Sequence, residues 1–238
     1  MSYPLLIIFA LAPSIIWLLF FLRKDAHPES NPMVLKIFFY GMLASLPAVF
    51  IEFGFSDSLK TLSGFSPFLI FLLNIFIGVA FVEEFLKYLV VKSKVLKDPE
   101  FDEPLDIMLY MIIAALGFAA VENLLIFLSP DTFNLGLDKT FFLAAFRFIY
   151  ATFLHALASA TFGFFIALSI CEAKKQNLLL GAGLFSAVIL HGLYNFSIMK
   201  TEGMLRIVLL TIIIASLAIF VSWGFKRLKK LKSVCKIT

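Results

Sequence analysis

The stretch AFVEEFLKYLVVK, residues 80–92, sets Glu83, Glu84 and Lys87 inside an apolar run. Residues 66–91 hold no other Asp, Glu, Lys, Arg or His. A helical run of about 20 apolar residues crosses the hydrocarbon core of a bilayer. The question raised by the stretch is why a membrane span would carry three ionisable groups. Composition supports the membrane reading for the whole chain. Of its 238 residues, 61% are hydrophobic and only 15% are charged, where a soluble domain has about a quarter charged. Mean hydropathy is +1.00. A chain with so little polar surface cannot face water all round.

Seven apolar runs are legible: roughly 3–22, 33–55, 66–91, 104–129, 141–171, 177–199 and 203–225. The expected fold is all-α, a polytopic membrane helix bundle forming a single integral membrane domain over 1–238. The breaks are short, and none has room for a separate soluble domain. The first run has no basic segment before it and no small-residue cleavage site after it, so it is read as a retained span.

Basic residues set the orientation. Arg23 and Lys24 follow the first span; Lys92, Lys94 and Lys97 follow the third; Lys174 and Lys175 follow the fifth. Lys226, Arg227, Lys229, Lys230, Lys232 and Lys236 follow the seventh. The alternate loops carry only Lys60, Lys139 and Lys200. The positive-inside bias then places the N-terminus outside and the C-terminus in the cytoplasm, in a multi-pass protein of the cell membrane. Much of the net charge of +4 lies in the tail KRLKKLKSVCKIT, which argues for a lipid bilayer and against nucleic acid as partner. Cys171 and Cys235 have no metal-binding spacing and are expected as free thiols.

Inside the spans sit Glu52, Glu83, Glu84, Lys87, Glu122, Asn123, Arg147, His155, His191 and Asn195. An ionisable residue near the bilayer centre costs a few kcal/mol and marks a functional site by default. So many imply a polar cavity shared by several helices. Glu83 and Lys87 are four apart on one helix face, and Glu84 is three from Lys87. Two adjacent carboxylates with one lysine resist double ionisation, which prepares a general base beside a general acid. In LGFAAVENLLIF, Glu122 and Asn123 interrupt an apolar helix four residues after Phe118. In AAFRFIYATFLHALASATFG, Arg147 precedes His155 by about two turns, and Ser159 and Gly163 continue a small-residue stripe. In VILHGLYNFSIM, His191 and Asn195 share a face, placed to position a water or stabilise an oxyanion. Each cluster also has a structural alternative: headgroup-solvated charges for the first, interhelical polar clamps for the others.

Taken in order, these pieces resemble a PrsW-type intramembrane protease, a family related to the type II CAAX prenyl protease and Abi group. The carriers are the EExxK of Glu83–Lys87, the FxxxE of Phe118–Glu122 followed by Asn123, Arg147 with His155, and the HxxxN of His191–Asn195. The resemblance spans about residues 66–200, the expected catalytic core helices. Lys87 and Glu122 depart from the EExxxR and FxxxH of the CAAX branch. The resemblance implies an endopeptidase that cleaves membrane-anchored proteins, such as anti-sigma factor regulators. It carries over Glu83, Glu84, Glu122, His155, His191 and Asn195 as catalytic, with Lys87, Arg147 and Asn123 in support.

The expected chemistry is water attack on a peptide carbonyl, with Glu83 or Glu84 taking the proton. His155, His191 or Asn195 would stabilise the oxyanion, and Lys87 and Arg147 would orient carboxylates. No cofactor is expected, although Glu122, His155 and His191 would make a zinc set with an open water position. One tension remains. By helical rise, Glu83 falls roughly 12 Å from the cytoplasmic edge, and Glu122 and His191 roughly 10–12 Å from the outer edge. A proton- or ion-coupled transporter would also use intramembrane Glu, His and Arg. A non-catalytic scaffold would use them for packing alone.

Overall fold

A computed structural model describes residues 2–24, 29–62, 64–96, 98, 101 and 103–231. Among the described residues, seven helices are long and apolar enough to cross a membrane. They are α1 (Tyr3–Leu22), α2 (Asn31–Lys60), α3 (Pro67–Lys94), α4 (Pro104–Phe127), α5 (Leu137–Cys171), α6 (Ala173–Lys200) and α7 (Gly203–Leu231). Among the described residues there is no strand.

The helix starts follow local chemistry. Ser30 and Ser66 lie just before prolines in the first turns of α2 and α3, and their hydroxyls accept from Met33 N and Leu69 N. Glu103 and Asp106 form a reciprocal capping box at the start of α4. These contacts satisfy amides that the helix itself leaves unpaired. Several helices outrun their apolar segments. α2 continues through polar residues to Lys60, and α7 to Leu231, because a helix leaving the bilayer keeps its internal hydrogen bonds.

α4 is the axis of the bundle. It packs against α1, α2 and α5, with further contacts to α3 and α7, and its residues from Pro104 to Ala120 are all buried. Two glycines let α2 and α4 approach backbone to backbone. A Cβ on Gly117 would lie 2.0 Å from the Phe38 carbonyl oxygen, and one on Gly41 would lie 2.2 Å from that of Ala114. Small residues drive such close packing where lipid removes the hydrophobic difference between helices.

α3 and α5 are not regular. α3 winds as a π-helix over Asn74–Phe81 and α5 over Arg147–Thr152. Each π segment comes just before functional candidates: Glu83 and Glu84 in α3, His155 in α5. Trp17 of α1 braces the second. Its indole stacks on Phe153 with centroids 3.8 Å apart, and its Nε1–H donates to Phe148 O at 2.9 Å.

Lys229 Nζ donates to the Lys24 carbonyl at 2.8 Å, and Lys36 pairs with Asp98 at 3.1 Å. The ends of α1 and α7 thus meet at one end of the bundle, as an up-and-down count of seven requires. Cys171 is disulfide-bonded, not the free thiol expected; Cys235, Lys97, Lys232 and Lys236 lie outside the described residues.

Candidate active site

Glu83, Glu84 and Lys87 leave α3 toward α5 and α6. All three are buried, with Glu84 and Lys87 fully so. Lys87 Nζ donates to Glu84 Oε1 at 2.8 Å, to Glu83 Oε2 at 3.2 Å and to His155 Nδ1 at 3.0 Å. Its ammonium also lies 4.5 Å from the centre of the Phe118 ring. Such a buried cation persists only because its donors are matched.

These contacts assign the tautomers. A lysine ammonium only donates, so His155 Nδ1 accepts and its proton sits on Nε2. Nε2–H then donates to Glu122 Oε2 at 2.9 Å. Arg147 Nη2 holds the same Glu122 oxygen at 3.1 Å, and Arg147 Nε donates to Asn123 Oδ1. Asn123 Nδ2 donates to Thr152 at 3.1 Å.

His191 is oriented in the same way by the other carboxylate. Its Nδ1–H donates to Glu84 Oε1 at 3.1 Å, which leaves Nε2 with a free lone pair. Ser159 Oγ fixes Glu84 from the far side, donating to Oε2 at 2.6 Å. Gly192 lets α6 close on α3; a Cβ there would lie 2.2 Å from Phe76 Cδ1.

The outcome is a convergence. His155 Nδ1 lies 3.6 Å from Glu83 Oε2, and His191 Nε2 lies 4.0 Å from the same oxygen. The two imidazoles meet edge to face with centroids 5.0 Å apart. Among the described residues, Glu83, His155 and His191 form a group whose ligand atoms all lie within 4.8 Å of one another. Each histidine is oriented by a carboxylate behind it, an arrangement typical of metal-binding imidazoles. The carboxylate facing the centre is therefore Glu83; Glu122 stands behind His155 with Arg147.

Most of the residues singled out in the sequence come together. Glu83, Glu84, Lys87, Glu122, Asn123, Arg147, His155 and His191 form one hydrogen-bonded network across α3, α4, α5 and α6. The separation in depth expected from regular helical rise does not occur. Asn195 is half-buried and no hydrogen bond ties it to this network. Ser159, which the sequence marks only as part of a small-residue stripe, supplies a hydroxyl to Glu84. Tyr194, whose hydroxyl is buried without a partner, carried no signal beyond its place three residues after His191.

A polytopic bundle enclosing opposed carboxylates and imidazoles has the make-up of an intramembrane hydrolase. The profile of the family described as "PrsW family intramembrane metalloprotease" matches residues 29–223. The chain belongs to that family and is an intramembrane peptidase. It is similar to the protein named Protease PrsW of Geobacillus kaustophilus, at 31% identity over 193 residues, covering 80% of this chain and 78% of the relative. It is also similar to Protease PrsW of Bacillus subtilis, at 29% identity over 227 residues and 94% of each chain. Protease PrsW of Oceanobacillus iheyensis is 29% identical over 188 residues, 78% of this chain and 79% of that one. No solved structure matches the chain.

Proposed function

We propose that the protein hydrolyses a peptide bond of a membrane-anchored protein substrate, of the anti-sigma factor type, with water activated at Glu83. The observation that carries the reading is the approach of His155 Nδ1 and His191 Nε2 to Glu83 Oε2, at 3.6 and 4.0 Å. Those gaps are wider than hydrogen bonds and suit a small polar guest held by all three groups.

Glu83 is the better base of the pair. Both oxygens of Glu84 are bonded, to Lys87, His191 and Ser159. Among the described residues, a single oxygen of Glu83 makes a hydrogen bond, to Lys87. In this scheme Glu83 takes the proton of the attacking water and returns it to the leaving amine. His191 stabilises the oxyanion. Glu84 and Glu122 hold the two imidazoles, Arg147 and Asn123 hold Glu122, and Lys87 offsets the crowded negative charge. Residues 66–200 form the catalytic unit of a single membrane domain, with the N-terminus outside and the C-terminus in the cytoplasm.

A zinc-assisted version has its own support. The donor set of Glu83, His155 and His191 fits zinc in type and number, and leaves a position for water. Among the described residues, the three carboxyls of Glu83, Glu84 and Glu122 face two cations, Lys87 and Arg147, so a divalent ion is electrostatically welcome. Glu83, His155 and His191 would hold it, in place of the Glu122, His155 and His191 set expected from the sequence. When bound, it would supply Lewis-acid polarisation and a more acidic water. His155 Nδ1 has a single lone pair, so Lys87 and a metal cannot both use it.

The test is co-expression with candidate single-span membrane proteins, comparing this chain with its Glu83→Gln variant. A size-shifted product that appears only with the unaltered chain supports the reading. A product made equally by both contradicts it. An altered proton-coupled flux with no cleavage would favour the transporter.

A further inference from the structure

Glu52 has no part in the network described above. It lies on α2 and is half-buried. The charges of Glu83, Glu122 and Lys87 act on it, and among the described residues no hydrogen bond holds it. Beside it is a cleft of about 330 Å³, lined by Val49, Glu52, Phe53, Ser56, Asn74, Val79 and Leu125. That volume is at the lower end of the range for ligand pockets, about 300–1,000 Å³. The cleft opens between α2 and α3 and is backed by α4. Val79 is one turn before Glu83, and Leu125 is three residues beyond Glu122, so the cleft adjoins the catalytic network.

Two of its polar groups offer acceptor oxygens without partners. Asn74 Oδ1 is buried without a partner, and among the described residues no hydrogen bond reaches the Glu52 carboxyl. Both are acceptors. Asn74 opens the π-helical segment of α3, where backbone pairing is least regular. A guest that answers two acceptors must bring donors. Inside a membrane, the amides of an unwound peptide are such donors, since each needs an acceptor to replace its lost helical bond.

We infer that the cleft between α2 and α3 is the substrate's docking site, where Glu52 and Asn74 Oδ1 accept hydrogen bonds from main-chain N–H groups of the extended segment about to be cut. This rests on the proteolytic reading above and gives it a recognition element: what is selected is unwound backbone at mid-membrane. A regular transmembrane helix has no N–H to offer and is refused. Phe53 lies exposed at the rim, alongside the path a lipid-embedded segment would take.

The probe is a biotinylated peptide of about 20 apolar residues, long enough to span, interrupted at its middle by Gly-Ser-Gly. The protein is reconstituted with it in liposomes, carrying Glu84→Gln and a photoreactive benzoylphenylalanine at position 53. A control places the photoreactive group at Trp223, on the distant α7. The peptide should label strongly from position 53 and weakly from 223. An uninterrupted peptide of the same length should label position 53 weakly. Asn74→Leu or Glu52→Leu should lower labelling from 53 by about fivefold, the worth of one hydrogen bond. Asn74→Ser and Glu52→Gln, milder changes, serve if the leucine variants melt early. Equal labelling from 53 and 223, or labelling indifferent to all four variants, overturns the inference and leaves a water-filled crevice. Cleavage of the peptide by protein with Glu84 intact is read separately. Labelling without cleavage counts against the protease reading but not the site; cleavage without labelling from 53 counts against the site alone.

Discussion

Lys87 donates to Glu83, Glu84 and His155 at once, and so it is the cation around which the site closes. Two consequences separate its roles. Lys87→Met leaves two buried carboxylates uncompensated and should cost about 3–5 kcal/mol of stability, the usual penalty for breaking a buried ion pair. Unfolding in detergent, followed by fluorescence, measures it. The same change frees the one lone pair of His155 Nδ1. The Lys87→Met protein should therefore bind zinc about tenfold more tightly or better, within the range by which groups around a metal tune its affinity, as read by equilibrium dialysis and metal analysis. Unchanged affinity would mean that His155 Nδ1 is not a ligand. The division of labour between carboxylates is equally testable. Glu83→Gln should reduce kcat by about 10²–10⁴, the usual worth of a positioned base. Glu122→Gln, which only orients His155, should lose about 10–100-fold. Glu83→Gln, which leaves Lys87 paired with Glu84, should melt close to the parent.

At the scale of the element, the π segments of α3 and α5 decide the register of the site. One extra residue in a turn rotates everything beyond it by about 100° and lengthens the path without advancing it by a regular rise. The depth gap expected from helical rise closes for a different reason: α3 runs on to Lys94, past its expected end at 91, which brings Glu83 nearer mid-membrane. Pattern and composition made the seven spans legible, because lipid demands long apolar helices. They also exposed the polar residues, because such residues are rare there. Nothing in NIFIGVAF or RFIYAT announces a π turn, so the facing of side chains beyond them was not legible. Deleting Ile77 should restore regular winding, turn Glu83 and Glu84 away from His191, and abolish cleavage while the protein still inserts in the membrane. Cleavage that survives the deletion would remove the π segment from the account.

For the molecule as a whole, α4 is the post to which the site is fastened. It brings Glu122 and Asn123 to Arg147 and His155, and its glycine contact with α2 puts the cleft beside Glu52 within reach of the same centre. α1 and α7 contribute no polar group to the network; α1 instead steadies the π turn of α5 through Trp17. The chain thus spends four of its seven spans on one constellation, which a packing scaffold has no reason to do. If Glu83 and His191 act on one water molecule, they cannot contribute independently, because groups that work as a unit are strongly non-additive. The most direct measurement is the cleavage rate of Glu83→Gln, His191→Asn and the double variant, each shown to be folded. The double variant should be slowed no more than the slower single variant, within about threefold. Losses that multiply would mean that the two residues act at separate places, and the common centre would be wrong.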